Sequence, residues 1–213
     1  MPTAEQDGPV KVEKGFARSQ IGGVSQHDLF PIAGKAFARG YAYEPEFLSR
    51  ADEEALACEL GRLPLAQAEY KGFLANRRII SYGGRYDFSA QQLLPGEPLA
   101  PFLLPLREKA AAWCGCSAED FSHALIAQYP PGSQLGWHRD VPNFELVVGI
   151  SLVGSCRMRF RHYPPQFREK SIALNIEPRS IYRLQEEARW DWQHSVPPVP
   201  ALRYSITFRT LRK

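Results

Sequence analysis

At 213 residues the chain is long enough for one sizeable core, or one core with a small appendage. An apolar content of 44% with 12% aromatic residues excludes a disordered chain, and a formal charge of +3 neither demands nor excludes a polyanionic partner. No apolar run approaches a membrane span and no signal-peptide core is visible. Cys58, Cys114, Cys116 and Cys156 lack the spacing of a zinc site, so a reduced, soluble, cytoplasmic protein without membrane contact is expected.

Residues 1–25, rich in Gly, Lys, Gln and Ser without apolar periodicity, are expected to form a mobile arm ahead of one domain over 26–213. Phe30-Pro31-Ile32 and the stretch Phe37–Phe47 alternate aromatic and polar residues, as short edge strands do. Ser49-Arg50-Ala51-Asp52 then has the form of a capping box. Ala55, Leu56, Leu60 and Leu63 follow on one helical face, and Gly61 and Pro64 are the expected stop.

Between residues 70 and 90, glycines, arginines and tyrosines interleave: Arg77, Arg78, Tyr82, Gly83, Gly84, Arg85, Tyr86 and Phe88. Arginines there suit phosphates, and rings suit a stacked base. An ordinary hairpin with exposed tyrosines would carry the same residues. Residues 91–100 are a Pro-containing linker. A second helix is expected from Pro101 to Trp113, with Pro105 tolerated near its first turn and Gly115 ending it. Ser117–Asp120 is a capped turn.

From His123 onward the pattern is strand-like: Ala124–Tyr129, Leu146–Leu152, Cys156–His162, Ser171–Ile176, Ile181–Leu184, Trp190–His194 and Arg203–Leu211. Short runs broken by Pro, Gly and Asn argue for a mainly β fold with flanking helices (α+β), a double-stranded β-helix or jelly roll. Its core would span about 123–211, with a lid-like segment at about 70–90.

The chemistry centres on Gly136-Trp137-His138-Arg139-Asp140. In an extended segment, side chains at i and i+2 share a face, so His138 and Asp140 can converge on one ion. His27 lies in a loop-like run, and His123 and His162 sit beside charged or turn residues. His194, on a strand-like segment, is the remaining partner. Two histidines and one carboxylate form the facial triad of non-haem Fe(II). Downstream, Arg203 and Arg209 lie an even number of residues apart, so both can face one barrel interior and hold the carboxylates of an organic acid.

These pieces resemble the AlkB family of Fe(II)/2-oxoglutarate dioxygenases. The likeness rests on Tyr129-Pro130-Pro131-Gly132, His138-Arg139-Asp140, His194 and Arg203-Tyr204-Ser205-Ile206-Thr207-Phe208-Arg209, and more loosely on Ser81–Gly83 and Tyr86–Ser89. It implies Fe(II), 2-oxoglutarate and O2 as cofactors, with His138, Asp140 and His194 on the metal. Tyr129, Arg203 and Arg209 would bind 2-oxoglutarate, Arg203 at its distal carboxylate and Arg209 near its metal-binding end. Tyr82, Tyr86, Phe88, Trp137, Arg77 and Arg85 would meet the substrate, alkylated DNA or RNA whose target base must be flipped out of a duplex.

Two departures stand out. Ala127 occupies a position where many members carry Asn, so one co-substrate hydrogen bond is missing or comes from elsewhere, with Gln128 the neighbouring candidate. Pro142 replaces an acidic residue that reads an exocyclic amine, which predicts a shifted or broader lesion preference. The leading expectation is oxidative dealkylation of N-alkylated bases, releasing formaldehyde, succinate and CO2. The alternatives are the same chemistry on methylated protein side chains or a small metabolite, and a catalytically silent nucleic-acid-binding module. No obligate protein partner is evident, and a monomer is expected.

Overall fold

The computed structural model describes residues 37–70, 73–87, 90–168 and 170–213. The expected arm and the Phe30–Ile32 strand lie outside them. Helix α1 spans Arg50–Arg62, and its first turn is fixed as the sequence requires. Ser49 Oγ accepts from the Asp52 amide, and the Asp52 carboxylate accepts from the Ser49 amide. Gly61 lies inside the helix and does not stop it. The stop is Leu63, which Pro64 forces into an extended conformation. A 3-10 turn at Pro101–Leu103 leads into α2, Leu104–Cys114, which ends on left-handed Gly115. A short α3 covers Glu186–Trp190. No helix among the described residues is long and apolar enough to cross a membrane.

Thirteen strands are described. They are β1 (Ala42–Glu44), β2 (Ala66–Tyr70), β3 (Phe73–Tyr82), β4 (Arg85–Asp87), β5 (Gln92–Leu94), β6 (Phe121–Tyr129) and β7 (Leu135–His138). Then come β8 (Phe144–Leu152), β9 (Cys156–His162), β10 (Ile172–Ile176), β11 (Ile181–Leu184), β12 (Trp192–Val196) and β13 (Arg203–Leu211). A seven-stranded sheet has the order β1-β11-β8-β13-β6-β3-β2, a four-stranded sheet the order β10-β9-β12-β7, and β4 pairs with β5 alone. This is the mainly β, antiparallel jelly-roll architecture that the turn-bounded strands predict. The stretch at 70–90, expected as a lid-like segment or an ordinary hairpin, is largely sheet among the described residues. Most of it is β3, a full member of the large sheet, followed by the β4–β5 hairpin.

Strand β13 lies between β6 and β8 and shows how the two faces are used. Tyr204, Ile206 and Phe208 point towards α1 and α2, into a core with Leu60, Leu103, Leu106 and Phe121. Arg203, Ser205, Thr207 and Arg209 point the other way, between the two sheets, and all four are buried. Each fully buried Ile or Phe on the helix side stabilises by about 1.5–3 kcal/mol. Truncating the fully buried Ile206 to Ala would cost about 2–5 kcal/mol and loosen the strand that carries both arginines.

Candidate metal and co-substrate site

Strands β7 and β12 run side by side with His138 directly opposite His194, their ring centroids 4.2 Å apart. Between Leu135 and His138, β7 uses three steps where β12 uses two, so a bulge falls at Gly136–Trp137. The bulge lets Leu135 and His138 both face the interior and turns Trp137 outward. Asp140 follows in irregular chain. Ligand atoms of His138, Asp140 and His194 all lie within 4.8 Å of one another.

Their protonation states suit a cation. The His138 ring is 2.9 Å from the Gly136 carbonyl through Nδ1, so Nδ1 carries the proton and Nε2 keeps its lone pair. Burial, and then the neighbouring His138, hold His194 down at about 3. It is therefore neutral at physiological pH, and the 3.8 Å approach of its Nε2 to Asp140 Oδ2 is not an ion pair. Burial alone would raise the Asp140 carboxyl, but the Arg209 guanidinium holds it well below the usual carboxylate range. Two neutral imidazoles and one carboxylate are the forms in which these side chains bind a divalent metal.

Arg209 approaches Asp140 Oδ1 through Nε at 2.9 Å and Nη2 at 2.8 Å. Its Nη1 is 3.4 Å from Nδ1 of His123, which burial and then Arg209 push down to about 3. Flanked by Ser122 and Ala124, His123 carries no local signal of this role in the sequence. Strand parity could have found it, since residues 123, 125, 127 and 129 of β6 share the face of Tyr129. Arg189 likewise has no local signal in the sequence. It is buried on α3 and donates to the carbonyls of Asp140, Val141 and Phe144, fixing the chain that carries the carboxylate.

The co-substrate wall lies across β13, β6 and β3. Arg203 is 1% exposed, donates from Nε to Ser151 Oγ at 3.0 Å, and leaves Nη2 without a partner among the described residues. Its Cζ lies 5.1 Å from the Tyr129 ring centroid, and Arg77 lies over the same ring at 5.9 Å. A buried guanidinium nitrogen with no acceptor is costly unless an anion joins it. This corner therefore fits a carboxylate. Tyr182, also missed, faces the same interior near Arg203 and Asp140, and burial raises its hydroxyl pKa well above the usual value. Its ring fits because residue 149 is glycine: a Cβ there would overlap it.

Several expectations need correction. Gln128 cannot replace the missing Asn, because it faces the helix side and donates to the Tyr204 hydroxyl. Tyr82 is buried on that same side, in the α1/α2 core, and cannot stack on a substrate at the triad. Trp137 faces away from the triad, between Arg159 and Arg161. Arg77 does lie on the site face, half-buried, with its Nε unpartnered among the described residues. Arg85 is exposed on β4 and Tyr86 is half-buried there, while Phe88 lies outside the described residues.

A jelly roll holding a His/Asp/His cluster, with a buried arginine on the same inner face that keeps one nitrogen free of partners among the described residues, is the framework of a 2-oxoglutarate-dependent Fe(II) dioxygenase. The family model of the 2OG-Fe(II) oxygenase superfamily matches residues 64–209. The chain belongs to that superfamily and, within it, to the AlkB family. It is 27% identical over 176 residues to an Alkylated DNA repair protein ALKBH8 homolog of Arabidopsis thaliana, covering 72% of this chain and 49% of that one. It is 26% identical over 164 residues to a Probable RNA/DNA demethylase ALKBH6 of Danio rerio, covering 72% and 68%. The chain thus spans about half the length of the first of these relatives. The solved structure of OsALKBH1 shares the fold at a TM-score of 0.62 and 13% identity, over 83% of this chain and all of that one. A Pseudomonas putida prolyl-4-hydroxylase does so at 0.54 and 18%, over 82% and 93%. The family's cofactors are Fe(II), 2-oxoglutarate and O2.

Proposed function

We propose that the protein removes alkyl groups from nitrogen atoms of nucleic-acid bases. The observation that carries the oxygenase part is the unpartnered Arg203 nitrogen on the inward face of β13, the same face from which Arg209 holds Asp140 of the His138, Asp140 and His194 cluster. His138, Asp140 and His194 would hold Fe(II), with Arg203, Ser151 and Tyr129 around the distal carboxylate of 2-oxoglutarate. The bound iron, with 2-oxoglutarate and O2, supplies an oxidant able to hydroxylate a carbon attached to nitrogen. For an N-methyl base, one O2 and one 2-oxoglutarate yield the N-hydroxymethyl base, succinate and CO2. The N–C bond then breaks to release formaldehyde and the restored N–H.

The protein's own part is positional. Arg209 and Arg189 fix Asp140, and the Gly136 carbonyl fixes the His138 tautomer. The apolar interior, with Phe160 and Trp192, limits water. Nucleic acid is the favoured substrate because two relatives carry names of nucleic-acid repair or demethylation. Arg77 at the pocket wall, with Arg85 and Tyr86 on the hairpin, also offers cations and a ring suited to a nucleotide.

The test is succinate and formaldehyde release against methylated oligonucleotides, methylated peptides and small methylamines. One formaldehyde per succinate with an oligonucleotide is expected. Turnover stimulated by a peptide or amine and by no oligonucleotide would move the protein to another substrate class.

A further inference from the structure

Every second residue of β9 faces away from the triad: Arg157, Arg159 and Arg161. The outward residues beside them are Ala173 and Asn175 on β10, Gln193 and Ser195 on β12, and Trp137 at the β7 bulge. Not one of the four strands contains Asp or Glu. The nearest acids stand beyond strand ends, at Glu177 after β10 and Asp191 before β12.

How the arginines are anchored separates two explanations. Arginines that only shield an uncovered sheet face could equally be paired with acids. Here Arg159 donates from Nε to Ser195 Oγ at 3.2 Å, and Arg161 from Nε to Gln193 Oε1 at 3.0 Å. Both anchors are neutral. They orient the guanidinium groups without cancelling their charge, and the terminal nitrogens stay available for a bidentate acceptor. Both groups also stack on Trp137, with Cζ 5.2 and 4.3 Å from its ring. None of the three arginines has an acidic partner among the described residues.

The face continues around the sheet edge. Strand β7 is an edge strand, with His138 turned inward and Trp137 outward. Arg139 lies just beyond, its Cζ 3.8 Å from the centroid of the exposed Tyr163 ring. Past β9, Phe167 is 90% exposed beside Arg168. Cations around a Trp ring on the sheet face, with the Tyr163 and Phe167 rings beyond its strands, suit phosphates joined by stackable bases, which an acidic peptide does not provide.

We propose that the outer face of the four-stranded sheet is a second nucleic-acid contact. It holds the backbone of the strand that flanks the reacting nucleotide, and the strand reaches it over the β7 edge. This rests on the nucleic-acid reading of the triad side. Its role is to add affinity for long substrates without touching the chemistry.

The test compares the holoenzyme with R157Q/R161Q, using a fluorescent single-stranded 15-mer across a salt series and an N-methylated mononucleoside as a substrate too short to span both sites. Circular dichroism and melting of the variant establish that it is folded, and R157Q alone, at an exposed position, is the milder control. Expected for the double variant is an oligonucleotide affinity at least tenfold weaker. The slope of log affinity against log salt should fall by about 1.4, for two lost single-strand phosphate contacts. Mononucleoside turnover should be unchanged. Unaltered oligonucleotide affinity and salt slope in the folded variant would overturn the proposal. So would tighter binding of polyglutamate or anionic vesicles than of the oligonucleotide through the same arginines. If the variant loses oligonucleotide binding but no methylated substrate is ever turned over, the face stands and the dealkylase reading fails.

Discussion

Arg209 places two nitrogens on one oxygen of Asp140, Oδ1, and leaves Oδ2 turned towards His194 at 3.8 Å. The carboxylate is thus divided between a permanent protein cation and the space where a metal would sit. Arg203, six residues away on the same strand face, has the opposite character: a neutral anchor on Nε and, among the described residues, no partner on Nη2. Two buried arginines of one strand should therefore respond differently to the same substitution.

Arg209→Met removes one half of a buried pair. Such breakage costs about 3–5 kcal/mol, and loss of a partner that orients a metal ligand weakens metal binding by about 10–100-fold. The expected result is a lower melting temperature of the metal-free protein together with weaker Co(II) or Fe(II) binding by titration. Unchanged stability would show that Asp140 does not depend on Arg209.

Arg203→Met removes a buried cation that has no carboxylate until co-substrate arrives. The metal-free, co-substrate-free protein is expected to keep its stability or gain slightly. Affinity for 2-oxoglutarate should fall by about two to three and a half powers of ten, from the roughly 3–5 kcal/mol of a broken buried pair. Isothermal titration and melting curves separate the two effects. A variant with normal 2-oxoglutarate affinity would remove Arg203 from the co-substrate site.

The pH dependence of the metal-free protein follows from its buried histidines. His123 and His194 titrate at about 3 in the fold, against about 6.5 when exposed. Between those values the unfolded chain binds more protons than the folded one. Stability therefore falls as pH drops from about 6.5 towards 3, with a slope of up to about 2.7 kcal/mol per pH unit for the two groups. Asp140 acts lower: its depressed folded pKa gives stability that is present above about 4 and lost as pH falls further. Urea midpoints at pH 7.5, 6.0 and 5.0 read this directly, and a flat profile would contradict the buried, neutral state of both rings.

Gly149→Ala should be destabilising although Ala suits a strand better than Gly. The new methyl would occupy the place of the Tyr182 ring, and overpacking of this kind costs about 1–3 kcal/mol. Pairing it with Tyr182→Leu should recover part of the loss in a double-mutant cycle. Additive effects would mean the two residues do not share that space.

Much of the architecture is legible because turns punctuate it. Cys156–His162, Ile181–Leu184 and Arg203–Leu211 follow Ser155, Ser180 and the Pro197–Pro200 run, and their observed limits match the sequence pattern. The Ser49 cap is equally local. What fails to show is facing. On β3 both sides are covered, so Ile79 and Ile80 are both apolar and nothing marks Tyr82 as belonging to the helix side. On β7 a bulge breaks the parity that would otherwise be used to place Trp137. Arg189 and Tyr182 act through partners some thirty to fifty residues distant, and no local pattern encodes those meetings.

The place of β13 has a bearing on how the chain comes to be folded at all. It is the middle strand between β6 and β8, yet it follows both in sequence, β6 by more than seventy residues. During synthesis the slot between them stays open until residue 211 has emerged, with two unpaired edges exposed to other chains. Such late, non-local pairing folds slowly. Because the same strand carries Arg203 and Arg209, closing the sheet and completing the anion pocket become a single event. A nascent or truncated chain lacking β13 would be both sticky and unable to be rescued by 2-oxoglutarate, whereas added co-substrate should protect only chains that have already closed.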